Sequence, residues 1–251
     1  MNTEISTEAS TSRVQRVRHD IKRRRVQVLR VDAPSPHLRS ITFGGDELAD
    51  FVSASFDDHV KLMLDVPGGE EPVRRDYTPR HHDAARRELT LDFVLHGEGP
   101  AATWAAQAAP GQQVTIAGPR GSFIIPLDYD WHLLVGDETA LPAIARRLEE
   151  LPASTRAIVI AQVADAADRR ELRSAAALQV SWVSDTAPLL DTLRALQLPP
   201  GDGYAWCAAE AKVSAEARRV LVQDKGHDRH AIRAAAYWKH GAVAHHENLE
   251  G

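Results

Sequence analysis

The chain has 251 residues, of which 43% are hydrophobic and 26% charged, with a formal net charge of −5. That length holds one large domain or two modest ones, each able to bury a core. The acidic balance excludes a general nucleic-acid binder, no apolar run approaches the roughly 20 residues of a membrane span, and the single cysteine, Cys207, excludes an intramolecular disulfide and a cysteine-built zinc or iron–sulfur centre.

Residues 1–12 are rich in Ser, Thr and Glu and read as a disordered tail with no apolar signal core, so a cytoplasmic location is expected. Residues 13–25 are basic and include Lys22-Arg23-Arg24-Arg25, read as a solvated lead-in. Strand patterns follow at Val26–Val31, Ser40–Phe43, Val60–Val66, Val73–Thr78, Leu89–Leu95 and Gln113–Ala117, separated by turns such as Gly44-Gly45 and Pro67-Gly68-Gly69. One helix is expected near residues 101–108. Six short strands between Gly/Pro turns predict a small, closed antiparallel barrel over residues 13–127.

The pattern changes near Leu127. Strands at Trp131–Val135, Ala157–Val163, Gln179–Val183 and Tyr204–Ala208 alternate with helices expected at Leu141–Leu151, Asp168–Ala177, Leu189–Leu196 and Ser214–Gln223, with Thr139 a candidate N-cap. Repeated β–α units predict a parallel sheet covered on both faces over residues 128–240. The fold class is therefore α/β with a β-barrel. Residues 241–251, with His245-His246, read as a loose C-terminal tail.

The chemistry concentrates around Arg74-Arg75-Asp76-Tyr77-Thr78-Pro79-Arg80. An arginine fork holds a phosphate bidentately, a tyrosine ring lies against a flat ring system, and a threonine hydroxyl reaches a ring nitrogen. By itself the run also suits an exposed basic turn. After the next strand comes His96-Gly97-Glu98-Gly99-Pro100-Ala101-Ala102-Thr103, where a helix start with small residues lets backbone N–H groups approach a phosphate. Two such elements flanking one strand suit the pyrophosphate of a flat, anionic cofactor. Gly136 alone follows the first strand of the second half, so the full glycine fingerprint of a dinucleotide site is missing. The histidines show no zinc spacing, and Cys207 reads as a small buried hydrophobe.

Arg75-x-Tyr77-Thr78, Asp92-Phe93, the His96 turn, Gly118-Pro119-Arg120-Gly121-Ser122 and Asp137-Glu138-Thr139-Ala140-Leu141-Pro142 together resemble the siderophore-interacting protein family, ferric-siderophore reductases of the ferredoxin-reductase-like superfamily. The likeness runs from about Val14 to Gly241. It implies a six-stranded FAD-binding barrel followed by a nicotinamide-nucleotide domain, and an NADPH-dependent reductase that releases iron from ferric siderophores or other ferric chelates; NADH is the alternative donor. Arg75 would hold the flavin phosphates, Tyr77 would stack on the ring and Thr78 would reach its reactive nitrogen, with Asp76, Asp92, Val94 and His96 beside them. Gly99, Pro100, Ala101, Ala102 and Thr103 would receive the pyrophosphate. Asp137, Thr139 and Trp238 would face the cofactors, while Lys61, Arg120 and Lys239 would form a cationic pocket for an anionic ferric complex. Arg169, Arg170 or Lys212 would meet a 2′-phosphate, or Asp165 a 2′-hydroxyl. The implied protein is a monomer without a resident metal, nucleic-acid partner or membrane insertion. Two other readings stay open: a general flavin reductase with a different acceptor, and a redox-inactive siderophore-binding module.

Overall fold

The computed structural model of the protein describes residues 13–65, 71–95, 99–241 and 247–248. The expected N-terminal tail, His96 and His245-His246 lie outside the described residues.

The first half is built from strands β1 (Gln15–Arg18), β2 (Arg23–Ser35), β3 (Leu38–Gly44), β4 (Val60–Leu64), β5 (Val73–Tyr77), β6 (Pro79–Asp83) and β7 (Glu88–Val94), helix α1 (Pro100–Ala106), then β8 (Gln113–Ala117) and β9 (Gly121–Ile124). Seven of these strands form one antiparallel sheet in the order β5-β4-β8-β2-β3-β7-β6. The sheet has seven strands where six were expected, because Pro79–Asp83 also pairs with β7, from Pro79↔Leu91 to Asp83↔Glu88. A proline at the first residue of an outer strand loses no ladder bond. The two outer strands, β5 and β6, are consecutive in the chain and joined only by Thr78. The sheet must therefore curl until its edges meet there. Its core is Val26, Val28, Ile41, Phe43, Leu62, Leu89, Leu91, Phe93 and Ile116, closed by Ala101 and Ala105 of α1. β1 and β9 form a separate two-stranded ribbon, with Gln15 opposite Ile124 and Arg18 opposite Gly121.

The basic lead-in is not fully solvated. Arg24 is 5% exposed, donating to the Gly118 carbonyl at 3.1 Å and to Asp50 at 2.9 Å, and Lys22 pairs with the same carboxylate. The segment straps the 118–120 turn to the sheet.

The second half comprises β10 (Trp131–Gly136), α2 (Leu141–Glu150), β11 (Arg156–Gln162), β12 (Ala177–Val183), α3 (Thr186–Ala195), β13 (Gly203–Glu210), α4 (Ala211–Arg219), β14 (Ile232–Trp238) and β15 (Glu247–Asn248). The strand order is β12-β11-β10-β13-β14-β15, parallel except for β15, which pairs antiparallel with β14 inside the stretch expected to be a tail. Every residue of β10 is buried. Leu134, Val159, Tyr204 and Trp206 face α2 and the first half, whereas Leu133, Val135, Ile158, Ile160 and Cys207 face α3 and α4. This alternation, with both faces apolar, is the mark of a covered parallel sheet. Burial pushes the Cys207 thiol up to about 12, which keeps it a neutral hydrophobe.

Two local expectations fail. Residues 168–177 form no helix; a short 3₁₀ turn at Ala166–Asp168 gives way to extended chain. The reason is tertiary: Asp168 accepts from the backbone N–H and ring of His37, and Arg170 reaches Asp92, so the segment is stretched along the first half. Thr139 is not an N-cap. Asp137 caps the 3₁₀ turn Glu138–Ala140 that leads into α2, accepting from Thr139 N at 3.0 Å and Thr139 Oγ1 at 2.5 Å.

His132, on β10, is 1% exposed and its Nε2 has no partner. Burial, and secondarily the charge of Arg147, depress its pKa to about 3. An unfolded histidine titrates near ~6.5, so its contribution to stability is complete above that pH and is lost as the pH falls from there toward 3. Denaturant titrations at pH 7 and pH 5 are expected to differ by about 2 kcal/mol from this group alone. His132→Leu should remove that part of the difference; an unchanged pH dependence would refute it.

Candidate functional site

Thr78 is 7% exposed at the junction of the curled sheet's two edges. Tyr77, just before it, turns its ring onto Phe93 at 4.3 Å between centroids and 41° between planes. Phe93 in turn contacts Trp104 of α1 at 5.7 Å, and Trp104 stacks with Phe43 at 6.2 Å. Burial holds the Tyr77 phenol well above its ordinary pKa, so it stays neutral. Arg75 lies two residues earlier on the outer strand, half-buried. Its Nη1 donates to the Arg74 carbonyl at 2.8 Å, and no carboxylate pairs with it among the described residues. A guanidinium held at a sheet edge without a counter-charge suits an anionic ligand. The donor set thus fits the phosphate-bearing, flat-ring group expected from the sequence.

Gly99 occupies the N-cap position of α1 with extended dihedrals, φ −67° and ψ 148°, and Pro100 opens the helix. The Thr103 N–H donates to the Gly99 carbonyl at 2.9 Å. Ala101 is buried under the helix, whereas Ala102 and Thr103 are less buried. Val94 ends β7 opposite Leu38.

Other expected residues are committed differently. Asp92, 6% exposed, accepts from Ser40 at 2.8 Å and from Arg170 at 2.7 Å. It is an anchor between the halves. Asp76 and Lys61 lie opposite each other on β5 and β4 and pair at 2.8 and 3.0 Å. Lys61 therefore carries its own counter-charge. Its register partner on the other side is Ala117, three residues before Arg120. The Arg120 side chain is exposed, and its carbonyl accepts from His19 N at 2.9 Å. Lys239 is exposed just past β14.

In the second half the structure brings Asp137, Thr139 and Trp238 together. The Trp238 indole N–H donates to Asp137 Oδ2 at 2.8 Å while Oδ1 holds Thr139, and the indole remains 41% exposed. Burial raises the Asp137 carboxyl above its usual range, partly opposed by these donors. All three sit at the carboxyl end of the parallel strands, where open α/β sheets bind ligands. Gly136 serves packing: a Cβ there would lie 2.4 Å from Ala140 Cβ and 2.7 Å from the Ala208 carbonyl oxygen. Of the cations expected to meet a 2′-phosphate, Arg170 is taken by Asp92, while Arg169 and Lys212 are exposed; Asp165 accepts from Ala167 N at 2.9 Å.

Sequence reasoning missed the polar joint between the halves, because its members are far apart in the chain. Asp57, 2% exposed in its side chain, pairs with Arg233 of β14, 11% exposed. Tyr237 Oη donates to the same carboxylate at 3.1 Å. Around it, Arg80 pairs with Glu149 at 2.5 and 2.8 Å, and Arg146 donates to Ser53 Oγ at 2.8 Å and the Pro79 carbonyl at 2.9 Å. Among the described residues no group of three or more His, Cys, Asp or Glu side chains is arranged to hold a metal ion, and no helix is long and apolar enough to cross a membrane.

Comparison with known proteins gives the same outline. Residues 27–73 and 63–123 match the siderophore-interacting FAD-binding domain, and residues 129–241 match the siderophore-interacting protein model. The NADPH-dependent ferric-chelate reductase of Escherichia coli (strain K12) is 36% identical over 245 residues, covering 89% of this chain and 96% of that protein. The ferric vibriobactin reductase of Vibrio cholerae is 31% identical over 241 residues, covering 85% and 89%. A crystal structure of a siderophore utilization protein from T. fusca superposes with a TM-score of 0.87 at 32% identity, covering 92% of this chain and 98% of that one. With an antiparallel curled sheet, a parallel-sheet half and matches along nearly its whole length, the chain belongs to the siderophore-interacting protein family.

Proposed function

We propose that the protein is an NADPH-dependent, FAD-containing reductase that reduces ferric iron in siderophores or other ferric chelates and so releases it as ferrous iron. The observation that carries the reading is the half-buried Arg75 guanidinium, without a carboxylate partner among the described residues, beside Tyr77 and Thr78 at the closing edge of the sheet. FAD, when bound, accepts hydride from a nicotinamide and gives up electrons singly to a ferric acceptor. Arg75 would neutralise its phosphates, Tyr77 would cover one face of the ring, and Gly99 to Thr103 would accommodate the pyrophosphate. Asp137 holds the Trp238 indole against the carboxyl end of the sheet, where Trp238 would border the nicotinamide. Arg120 and Lys239 would draw an anionic ferric complex toward the flavin without ligating iron, with Lys61 adding charge only in part because Asp76 already pairs with it. The FAD-binding half would end near residue 127, and the protein would work as a cytoplasmic monomer. Relatives named as reductases of ferric chelates support the acceptor class.

The test is an anaerobic visible spectrum of the purified protein, followed by NADPH and then a ferric catecholate with a ferrous-specific dye. A flavin spectrum that bleaches with NADPH and recovers with iron as the ferrous dye complex forms is expected. Bleaching without recovery would keep a flavin reductase and reject this acceptor. Failure to take up supplied FAD would reject the mechanism.

The double variant Lys61→Ala/Arg120→Ala should reduce an anionic ferric complex about tenfold more slowly while oxidising NADPH with a neutral acceptor at an unchanged rate. Each single change removes one positive charge and should give part of the effect. Equal loss with both acceptors would show a flavin or folding defect.

A further inference from the structure

Helix α2 ties the nucleotide end of the second half to the junction at Thr78. The turn that leads into it, Asp137 to Ala140, also holds the Trp238 indole through Asp137. About two helical turns past Thr139, Arg146 reaches across to the first half. Its Nη1 donates to the Ser53 hydroxyl at 2.8 Å and to the Pro79 carbonyl at 2.9 Å, its Nη2 to the Ser53 carbonyl at 3.0 Å, and its Nε to Glu150 at 3.0 Å. Arg80 grips Glu149 of the same helix with both terminal nitrogens. The two residues after Thr78 are thus both fastened to α2, one by its carbonyl and the other by its side chain. The acceptors on the far side are fixed in turn. Ser53 gives its one proton to Asp58 Oδ2 at 2.9 Å, so its oxygen meets Arg146 as an acceptor. Asp58, 2% exposed, also takes the Ser55 N–H at 3.1 Å and the Ser122 hydroxyl at 2.8 Å, which pins this loop to β9. A planar guanidinium between fixed acceptors resists sliding more than a flexible ammonium would.

We infer that Arg146 is a positioning residue for hydride transfer, an inference that rests on the FAD and NADPH reading above. It sets how far the Asp137–Trp238 end of the parallel sheet stands from Thr78, and so how the nicotinamide ring meets the flavin ring. A hydride carries both electrons directly from one ring to the other. The reacting atoms must therefore lie about 3–3.5 Å apart, and a misplacement of about 1 Å costs on the order of a hundredfold. Release of single electrons to a ferric acceptor is not tied to where the nicotinamide lies. Arg146 accordingly bears on the first half of the reaction and not on the second.

The test follows the two half-reactions of the FAD-loaded full chain by anaerobic stopped flow: bleaching by NADPH, and reoxidation of dithionite-reduced protein by a ferric chelate. Arg146→Met keeps the stem and removes every donor. It is expected to lower the limiting rate of bleaching about tenfold or more, with reoxidation and the FAD dissociation constant within about threefold of wild type. The slowed step should show a primary isotope effect with NADPH deuterated at the transferred position. In the FAD-free chain, the backbone amides of residues 80–83 should exchange roughly tenfold faster, as the lost hydrogen bonds imply, while those of β10 stay unchanged. An unchanged bleaching rate, unchanged exchange at residues 80–83, or a loss shared equally by reoxidation and FAD affinity overturns the inference. Should Arg146→Met not fold, Arg146→Lys decides: slower bleaching with unchanged reoxidation supports the positioning role, and a wild-type bleaching rate rejects it. Wild-type protein that takes up FAD but is not bleached by NADPH removes the donor reading itself, and the inference with it.

Discussion

Arg75→Ala is expected to weaken FAD binding by one to two orders of magnitude or more and to leave the fold intact. The loss corresponds to about 1.5–3 kcal/mol for a charge-assisted hydrogen bond, each 1.4 kcal/mol being about tenfold in affinity. The size follows from the surroundings. Among the described residues the Arg75 guanidinium makes one hydrogen bond, to the Arg74 carbonyl at 2.8 Å, and no ion pair that its removal would break. Stability should therefore change by no more than about 0.5 kcal/mol, as for an ordinary surface substitution. Arg75→Lys keeps the charge but not the planar fork, and should fall between wild type and alanine. FAD titration by fluorescence, with circular dichroism of the same samples, separates the two effects. Stoichiometric, undiminished FAD in the alanine variant would refute the assignment.

The second large effect is on the joint. Arg233→Ala strands the Asp57 carboxylate, whose side chain is 2% exposed, without its cation. Breaking one partner out of a buried pair costs about 3–5 kcal/mol, because the remaining charge stays desolvated. For a protein of this size that is a fall in Tm of roughly 10 °C. Arg233 also lies over the Phe123 ring at 4.2 Å, so packing is lost with the charge. Two comparisons make the cause visible. Arg80→Ala breaks an interdomain pair whose Glu149 side chain is 44% exposed, and should cost about 1 kcal/mol or less. The double variant Asp57→Asn/Arg233→Met removes both charges and should recover much of the loss. Calorimetry decides: if Arg233→Ala and Arg80→Ala melt together, burial of the pair is not what stabilises the joint.

The elements legible in the sequence were those whose local pattern agreed with their surroundings. Leu89 to Leu95 alternates and is a strand; Trp131 to Val135 is apolar apart from His132 and lies in the centre of the parallel sheet. The failures have tertiary causes. Pro79–Asp83 contains a proline and two histidines, and is a strand only because β7 offers it an edge. Ile232-Arg233-Ala234-Ala235-Ala236 has alanines suited to a helix, yet those residues fill a sheet position beside β13 where a larger side chain has little room. Residues 168–177 have a helical composition that is overridden by Asp168 and Arg170 reaching the first half. The Arg75–Thr78 run was legible because its chemistry is contiguous. The Asp57–Arg233 pair spans 176 residues, and nothing local to either residue announces it.

The place of β8 has a consequence for how the chain can assemble as it is made. Within the seven-stranded sheet, the hairpin β4–β5 and the group β2-β3-β7-β6 are joined by strand pairing only through β8, which pairs with β4 on one side and β2 on the other. β8 is also the last of the seven strands in the chain. Until residue 117 has left the ribosome, a nascent chain holds two fragments of sheet, each with an open central edge and half an apolar core. The outer strands that meet at Thr78 are synthesised well before the strand that forces them together. A stall or truncation before Gln113 thus yields not a smaller version of the domain but two adhesive pieces, and chaperone capture of such nascent chains should end abruptly once β8 is complete.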